Sequence, residues 1–374
     1  MQLKVQLFNH FCKDLKDVWN NFQKLNNDDD YYVFQTYFWM EYWFNSIGIK
    51  NYSMLPLVVA VFDNDDVIAI FPLGLYKKLG VRIIEFIGGD QADYNTPIVS
   101  SKINLADYMI IWTMVLNELP HYDILDLKRI PHNIMDKDNS FIKVICTKKT
   151  GTTYSLKLPV SPHLLSSIVS KRLLKDNARM FRRLSELGEV KFSISSNHDE
   201  YNAVIETTLK QKSNRYLTTG VRNILEDRNI FLFYKGLYNA LNKSLNIHLS
   251  SITLNDEVLA THLGVVYTKR FYYLMPTFST GQFEKYSPGR LLLEYLVNKS
   301  IEEKLEIYDF TVGSEAYKKK WCDYEMNIYN HQSYNTLRGF LFLLISNIIL
   351  FFKNNPITRL LLTKLNRLVN RVMV

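Results

Sequence analysis

Apolar and polar positions along the chain fall into two successive orders of elements that resemble each other. Residues 12–25 carry apolar side chains at helical spacing, and an aromatic helix follows through 34–43. Two apolar runs, 57–62 and 67–71, flank Asp63-Asn-Asp-Asp66, which predicts a hairpin. A strand at 81–87, a polar loop with Gly88 and Gly89, a helix over 105–119 and a strand at 122–127 complete the first set. A linking strand at 154–158, a helical stretch over 163–187, a strand at 190–195 and helices at 200–212 and 225–241 come next.

Then the first order returns. Runs at 247–254 and 258–267 flank Asn255-Asp-Glu257, followed by a strand at 271–275, a helix over 288–303 and a strand at 306–310. Asp66-Val-Ile-Ala69 lies 191 residues before Glu257-Val-Leu-Ala260, and Tyr122-Asp123 lies 186 before Tyr308-Asp309. Two matches at nearly one offset point to a tandem duplication; the alternative is one larger mixed sheet. The predicted class is α/β (α+β), with mixed central sheets flanked by helices and a C-terminal helical tail. The expected domains are 1–150, a degenerate first copy, 151–336, a second copy, and 337–374, an apolar and basic tail.

Length supports two domains, because a chain of 374 residues exceeds the size at which a single core keeps growing. The three cysteines, Cys12, Cys146 and Cys322, suit neither a disulfide framework nor a metal site. The first ten residues lack a signal-peptide core, so the cytoplasm is the expected compartment. The net charge of +8 suggests nucleic acid until it is located. No acid follows Glu325, while Arg338, Lys353, Arg359, Lys364, Arg367 and Arg371 do, leaving +2 on the remaining chain. The basicity belongs to an appendage.

Two segments carry candidate chemistry. In Tyr286-Ser-Pro-Gly-Arg290, Ser287 reads as an N-cap and Pro288 as the first helical residue, with Gly289 allowing close approach to the backbone. Such a helix N-terminus attracts a diphosphate; it is equally what an ordinary well-capped helix looks like. In Tyr308-Asp-Phe-Thr-Val-Gly-Ser-Glu-Ala-Tyr-Lys-Lys-Lys-Trp321, an acid, a glycine turn, a tyrosine and a lysine gather at a strand's end. No Ser/His/Asp order or His-Glu-x-x-His run competes.

Together these segments resemble the CelD-type branch of the GNAT acetyltransferases, which is related to the FemAB transferases. The resemblance covers most of residues 1–335, with 286–321 its most specific part, and it extends to the basic helix near 173–184 and to Asp93-Tyr94. It implies two tandem GNAT-like domains, an acyl-CoA donor, acetyl-CoA by default, and an amine acceptor on a small molecule or a glycan or cell-envelope precursor. The Gln/Arg-x-x-Gly-x-Gly/Ala phosphate loop common in acetyltransferases is absent. That leaves room for a longer acyl thioester, or for an aminoacyl-tRNA donor as in FemAB proteins, the one nucleic acid expected. A non-catalytic adaptor docking on membrane-bound polysaccharide machinery is the alternative.

Acyl transfer to an amine needs a base, donors for the oxyanion and an acid for the leaving group. Ser287, Pro288, Gly289 and Arg290 are the candidate cofactor ligands, through the N–H groups of Gly289 and Arg290 and the Arg290 side chain. Tyr317 is the candidate acid; Asp309, Glu315 and His262 are candidate bases. Asp309 could instead bind loop backbone, and His262 could be a core residue. Lys318, Trp321, Arg179, Arg183 and Arg215 are candidate substrate contacts, with Lys212 a weaker one. In the tail, residues 339–352 are apolar but too short to span a bilayer, and 357–374 pair an apolar stripe with cations. A segment of that kind lies on an anionic membrane, so residues 338–374 predict peripheral contact with its inner face.

Overall fold

The computed structural model describes residues 2–25, 31–313 and 315–354. The first half runs β1 (Leu3–Phe8), α1 (Lys13–Leu25), α2 (Tyr37–Trp43), a π-helical turn into α3 (Ile49–Tyr52), β2 (Leu55–Asp63), β3 (Asp66–Lys78), β4 (Val81–Phe86), β5 (Ile98–Val99), α4 (Leu105–Glu118) and β6 (Ile124–Pro131). A small hairpin, β7 (Asn133–Ile134) and β8 (Lys137–Asp138), then α5 (Phe141–Val144), lead to β9 (Lys148–Lys157). The second half adds α6 (Leu165–Ile168), α7 (Lys171–Ser185), β10 (Val190–Ile194), α8 (His198–Thr219), α9 (Arg228–Leu241), β11 (Asn246–Leu254), β12 (Glu257–Tyr267) and β13 (Arg270–Phe278). It closes with α10 (Pro288–Glu302), β14 (Ile307–Val312), β15 (Tyr324–Tyr334) and α11 (Leu337–Asn354).

Both expectations about the sheet hold at once. A 13-stranded sheet has the order β1-β2-β3-β4-β6-β15-β9-β14-β13-β12-β11-β10, with β5 beside β3. Read inward from each edge, the pairings repeat: three antiparallel, one parallel (β4 with β6, β13 with β14), then one antiparallel. The hairpin turns agree as well. Asn64 and Asn255, 191 residues apart, both adopt positive φ, the conformation that tight hairpin turns select asparagine for. At the centre the copies exchange strands. β9, from the first half, pairs with β14; β15, from the second, pairs with β6. The expected boundary at 150/151 therefore falls inside β9, and neither copy completes its sheet alone.

Helices cover both faces because the strands bury apolar residues on both. On one face α1–α3 of the first copy and α8 and α9 of the second share a core containing Trp19, Trp39, Trp43, Tyr201, Phe233 and Tyr272. Tyr42 stacks on Phe233 and its hydroxyl donates to the Phe233 carbonyl at 2.9 Å. Gly236 makes that approach possible, since a Cβ there would sit 2.7 Å from the Tyr42 oxygen. On the other face the copies are covered separately, by α4 and α5 over the first and by α7 and α10 over the second. Each buried Leu or Phe in these layers contributes about 1.5–3 kcal/mol.

The sequence reading missed β1 and β15, although both alternate apolar and polar residues over their first five positions, and it ended two strands early: β3 continues past Phe71 to Lys78 and β13 past Met275 to Phe278. The apolar run at 339–352 is helical, within α11. Among the described residues no helix is long and apolar enough to cross a membrane. Residues 355–374, with their expected amphipathic stripe, lie outside the described part.

Candidate functional site

The second copy opens a cleft where its strands part. β13 and β14 run parallel for three residue pairs, Arg270–Tyr272 against Ile307–Asp309, and then diverge. Two irregularities force the divergence. β12 and β13 slip register between Leu263 and Val265, where a Cβ on Gly264 would come 2.4 Å from the Tyr272 carbonyl oxygen. β14 bulges against β9 between Asp309 and Val312, with Thr311 at φ 56°, a conformation that costs a β-branched residue free energy and tends to sit beside functional sites. The resulting cavity, about 320 Å³, is walled by α8, β12, β13, the start of α10 and the loop after β14.

The start of α10 differs from the expected capping motif. Ser287 has φ 53° and ψ 51° and makes no capping bond, because an N-cap serine needs extended backbone to reach the first turn. Its carbonyl accepts instead from the N–H groups of Arg290 and Leu291, at 2.9 and 3.2 Å. Pro288 has no N–H, which leaves that of Gly289 for a ligand. A Cβ on Gly289 would meet Phe278 at 3.3 Å, so the glycine lets α10 close on β13. The Arg290 guanidinium pairs with Asp176 of α7 and is neutralised there. Asp176 also accepts from Arg179 at 2.6 Å. Lys171, Arg172, Lys175, Arg179, Arg182 and Arg183 are exposed along the same helix, which packs on the turn leading into α10.

Ser287, Pro288, Gly289, Arg290, Glu315, Tyr317 and Arg215 of the predicted set all line this one cavity. The Tyr317 hydroxyl is buried and has no protein partner, as are the hydroxyls of Thr261 and Thr277 on the same wall. These two threonines stand opposite each other in the β12–β13 ladder. Burial, with help from the Glu315 charge, raises the Tyr317 pKa, so the phenol keeps its proton at neutral pH. For Glu315 burial acts upward, but the Lys318 ammonium at 3.0 Å and other bonds to its charged form bring the carboxyl below its ordinary pKa. Lys212 faces them from α8. Burial lowers its pKa to about 8, with Glu315 opposing and Arg215 and Lys318 assisting.

Six predicted residues lie elsewhere. Asp309 is 1% exposed and has no free oxygen: Oδ1 accepts from the Tyr94 hydroxyl and the Thr311 N–H, both at 2.8 Å, and Oδ2 accepts from Arg270 at 2.9 Å. It ties the two copies together and is not placed to act as a base. His262 is fully buried and stacks on Tyr273 at 4.1 Å. Neither ring nitrogen has a partner, and burial together with His248 drives its pKa well down. Lys318 is 4% exposed and donates to the Val312 carbonyl, holding the Glu315 loop. Trp321 is core. Arg179 and Arg183 sit on α7, outside the cavity lining. Lys212, Thr261 and Thr277 are what sequence reasoning undervalued; the signal available was that Thr261 and His262, adjacent in a strand, must face opposite sides.

Residues 171–319 match the family model of the acetyltransferase (GNAT) domain. The whole fold is similar to the crystal structure of FemX, with a TM-score of 0.58 at 13% identity, covering 87% of this chain and 97% of that one. It is also similar to a conserved protein of unknown function from Bacteroides thetaiotaomicron VPI-5482, with a TM-score of 0.54 at 9% identity, covering 89% and 100%. A tandem GNAT protein from the clavulanic acid biosynthesis pathway gives 0.51 at 10% identity, covering 89% and 98%. No curated protein matches the chain in sequence. The family-model match lies within the second copy, which is similar to a GNAT domain over those residues. The chain as a whole shares its fold with FemX and with the tandem GNAT protein, and the GNAT resemblance read from 286–321 is borne out.

Proposed function

We propose that the second copy is an N-acyltransferase that moves an acyl group from acyl-CoA to an amine on a cell-envelope or polysaccharide precursor. The first copy serves as its scaffold. The observation that carries this reading is the convergence of Tyr317, Glu315 and Lys212 on one cavity beside the Gly289 N–H. Glu315 takes the proton of the attacking ammonium. The amine nitrogen bonds to the thioester carbonyl carbon, and the Lys212 ammonium with the threonine hydroxyls stabilises the oxyanion. The C–S bond then breaks, Tyr317 protonates the leaving thiolate, and the phenolate so formed takes the second proton from the nitrogen as it becomes the amide. Gly289, Arg215 and the cations of α7 receive the diphosphate. Acetyl is the default acyl group.

A second reading, an aminoacyl-tRNA donor, is favoured by one observation. The six exposed cations of α7 extend well past what one diphosphate occupies. Thiol release from a panel of acyl-CoA thioesters with amino-sugar acceptors tests the first reading. Transfer from charged tRNA, lost at high salt, tests the second. Silence in both assays would leave the adaptor. The same proposal sets the enzyme to work at the inner face of a membrane.

A further inference from the structure

Helix α11 begins anchored and runs on with its apolar side chains exposed. Thr336 donates to Asp123 Oδ1 at 2.6 Å and accepts from the Gly339 N–H at 3.1 Å, and the Asn335 N–H donates to the Asp123 carbonyl at 2.8 Å. A Cβ on Gly339 would sit 2.2 Å from that carbonyl oxygen, so only glycine lets the helix start this close to β6. Phe342 and Leu343 pack on Val81, Ile83 and Ile124. These contacts fix the direction in which the helix leaves the domain.

Beyond Leu343 the support stops. Leu344, Ile345, Ile348, Ile349, Leu350 and Phe351 are each 44–66% exposed. At 100° per residue these six positions leave no arc wider than about 100°, so apolar side chains are exposed on every side of the segment. A second protein copy would bury one stripe and leave the rest in water. A surrounding apolar solvent covers all of it. Residues 344–352 rise about 13 Å, close to half of a hydrocarbon core of about 30 Å. The chain beyond, 355–374, carries Arg359, Lys364, Arg367 and Arg371 and no acid, a charge suited to anionic headgroups.

We propose that the distal half of α11 inserts into one leaflet of an anionic bilayer, so that the protein is held to the membrane end-on by a half-spanning helix. This goes further than surface contact, and it rests on the membrane part of the reading above, not on its chemistry. The test uses the full chain with vesicles of phosphatidylcholine, with and without phosphatidylglycerol. Co-sedimentation is expected with the anionic vesicles. Ile345→Asp with Ile349→Asp should lower it by roughly 10,000-fold, to background. Converting the four basic residues to Gln should lower it on the order of 1,000-fold on anionic vesicles and not on neutral ones. A Trp at Phe351→Trp should be quenched by lipids brominated in mid-chain. Absence of binding, indifference to the Asp pair, or a vesicle-free dimer that the Asp pair dissociates would overturn the inference, the last by showing that a second copy covers the helix. Thiol release by the Asp variant, measured without vesicles, keeps this outcome separate from that of the acyl-transfer reading.

Discussion

The two copies share a strand order and differ at one place, the gap beside the parallel pair. In the second copy β13 runs unbroken to Phe278 and the gap stays open as a cavity. In the first, the equivalent strand is interrupted: β4 stops at Phe86, residues 87–97 leave the ladder, and β5 rejoins β3 at Ile98 and Val99. That excursion is tightly packed. Gly89 lies against Trp43, whose indole donates to Gln91 at 2.9 Å, and Asn95 donates to the Arg129 carbonyl. The facing helix differs in the same sense. Asn104 caps α4 by accepting from the Asp107 N–H at 2.9 Å, whereas α10 starts uncapped. One copy fills the gap with its own loop; the other leaves it open, with the hydroxyls of Thr261, Thr277 and Tyr317 buried and unpartnered on its wall. The filled copy also braces the open one, since Tyr94 of its loop reaches across to Asp309.

The largest effect should come from cutting that brace. Asp309→Ala leaves the Arg270 guanidinium buried without its carboxylate, which costs about 3–5 kcal/mol. Arg270 is largely enclosed, and although burial acts to lower its pKa, Asp309 carries it upward. Urea unfolding should therefore show a large loss for Asp309→Ala, with much of it recovered when Arg270→Met is added. A single variant as stable as wild type would mean that the exchanged strands and the apolar layer join the copies without help from this ion pair. Next comes Tyr317→Phe. Losing a general acid lowers turnover about 10²–10⁴-fold, and since the hydroxyl has no protein partner the thermal midpoint should not fall. Normal thiol release from this variant would remove Tyr317 from the chemistry and return the second copy to the status of the first.

Most of this contrast was legible in part. The repeat was readable because hairpins advertise themselves: apolar runs with an Asn/Asp turn specify strand, turn and facing side together. The cavity's floor was readable at Ser287-Pro-Gly-Arg290 and at Tyr317 because turn and helix-start residues are local signals. Asp309 and His262 misled for a physical reason. A titratable residue at a strand end looks the same in sequence whether its partner is a ligand or a side chain more than 200 positions away, as Tyr94 is from Asp309. The strand exchange of β9 and β15 was not readable, because nothing in a strand's own pattern says which neighbour it pairs with.

A smaller effect sharpens the comparison through Lys212. Its folded pKa of about 8 lies below that of an unfolded lysine. Between those values the unfolded chain binds more protons, so the penalty for a buried ammonium is complete below about pH 8 and fades as pH rises toward the unfolded value. Lys212→Met should thus be more stable than wild type at pH 7, on the order of 1–3 kcal/mol, and the gain should vanish by about pH 10.5. Denaturation midpoints across that range measure it. A pH-independent difference would mean that the lysine is solvated and that its cavity is not a dry reaction site.

The smallest effect isolates the helix starts. In α4 the Asn104 side chain serves the first turn, so Asn104→Ala should cost about 1 kcal/mol while leaving thiol release unchanged. In α10 the Ser287 side chain caps nothing and its backbone sits at φ 53°, where glycine is at ease and serine is not. Ser287→Gly should therefore leave the thermal midpoint unchanged or raise it, opposite in sign to the loss in α4. If instead Ser287→Gly destabilises the protein as a lost cap would, α10 begins like any other helix. The Gly289 N–H would then have no claim to a ligand, and the difference between the copies would shrink to the loop at 87–97.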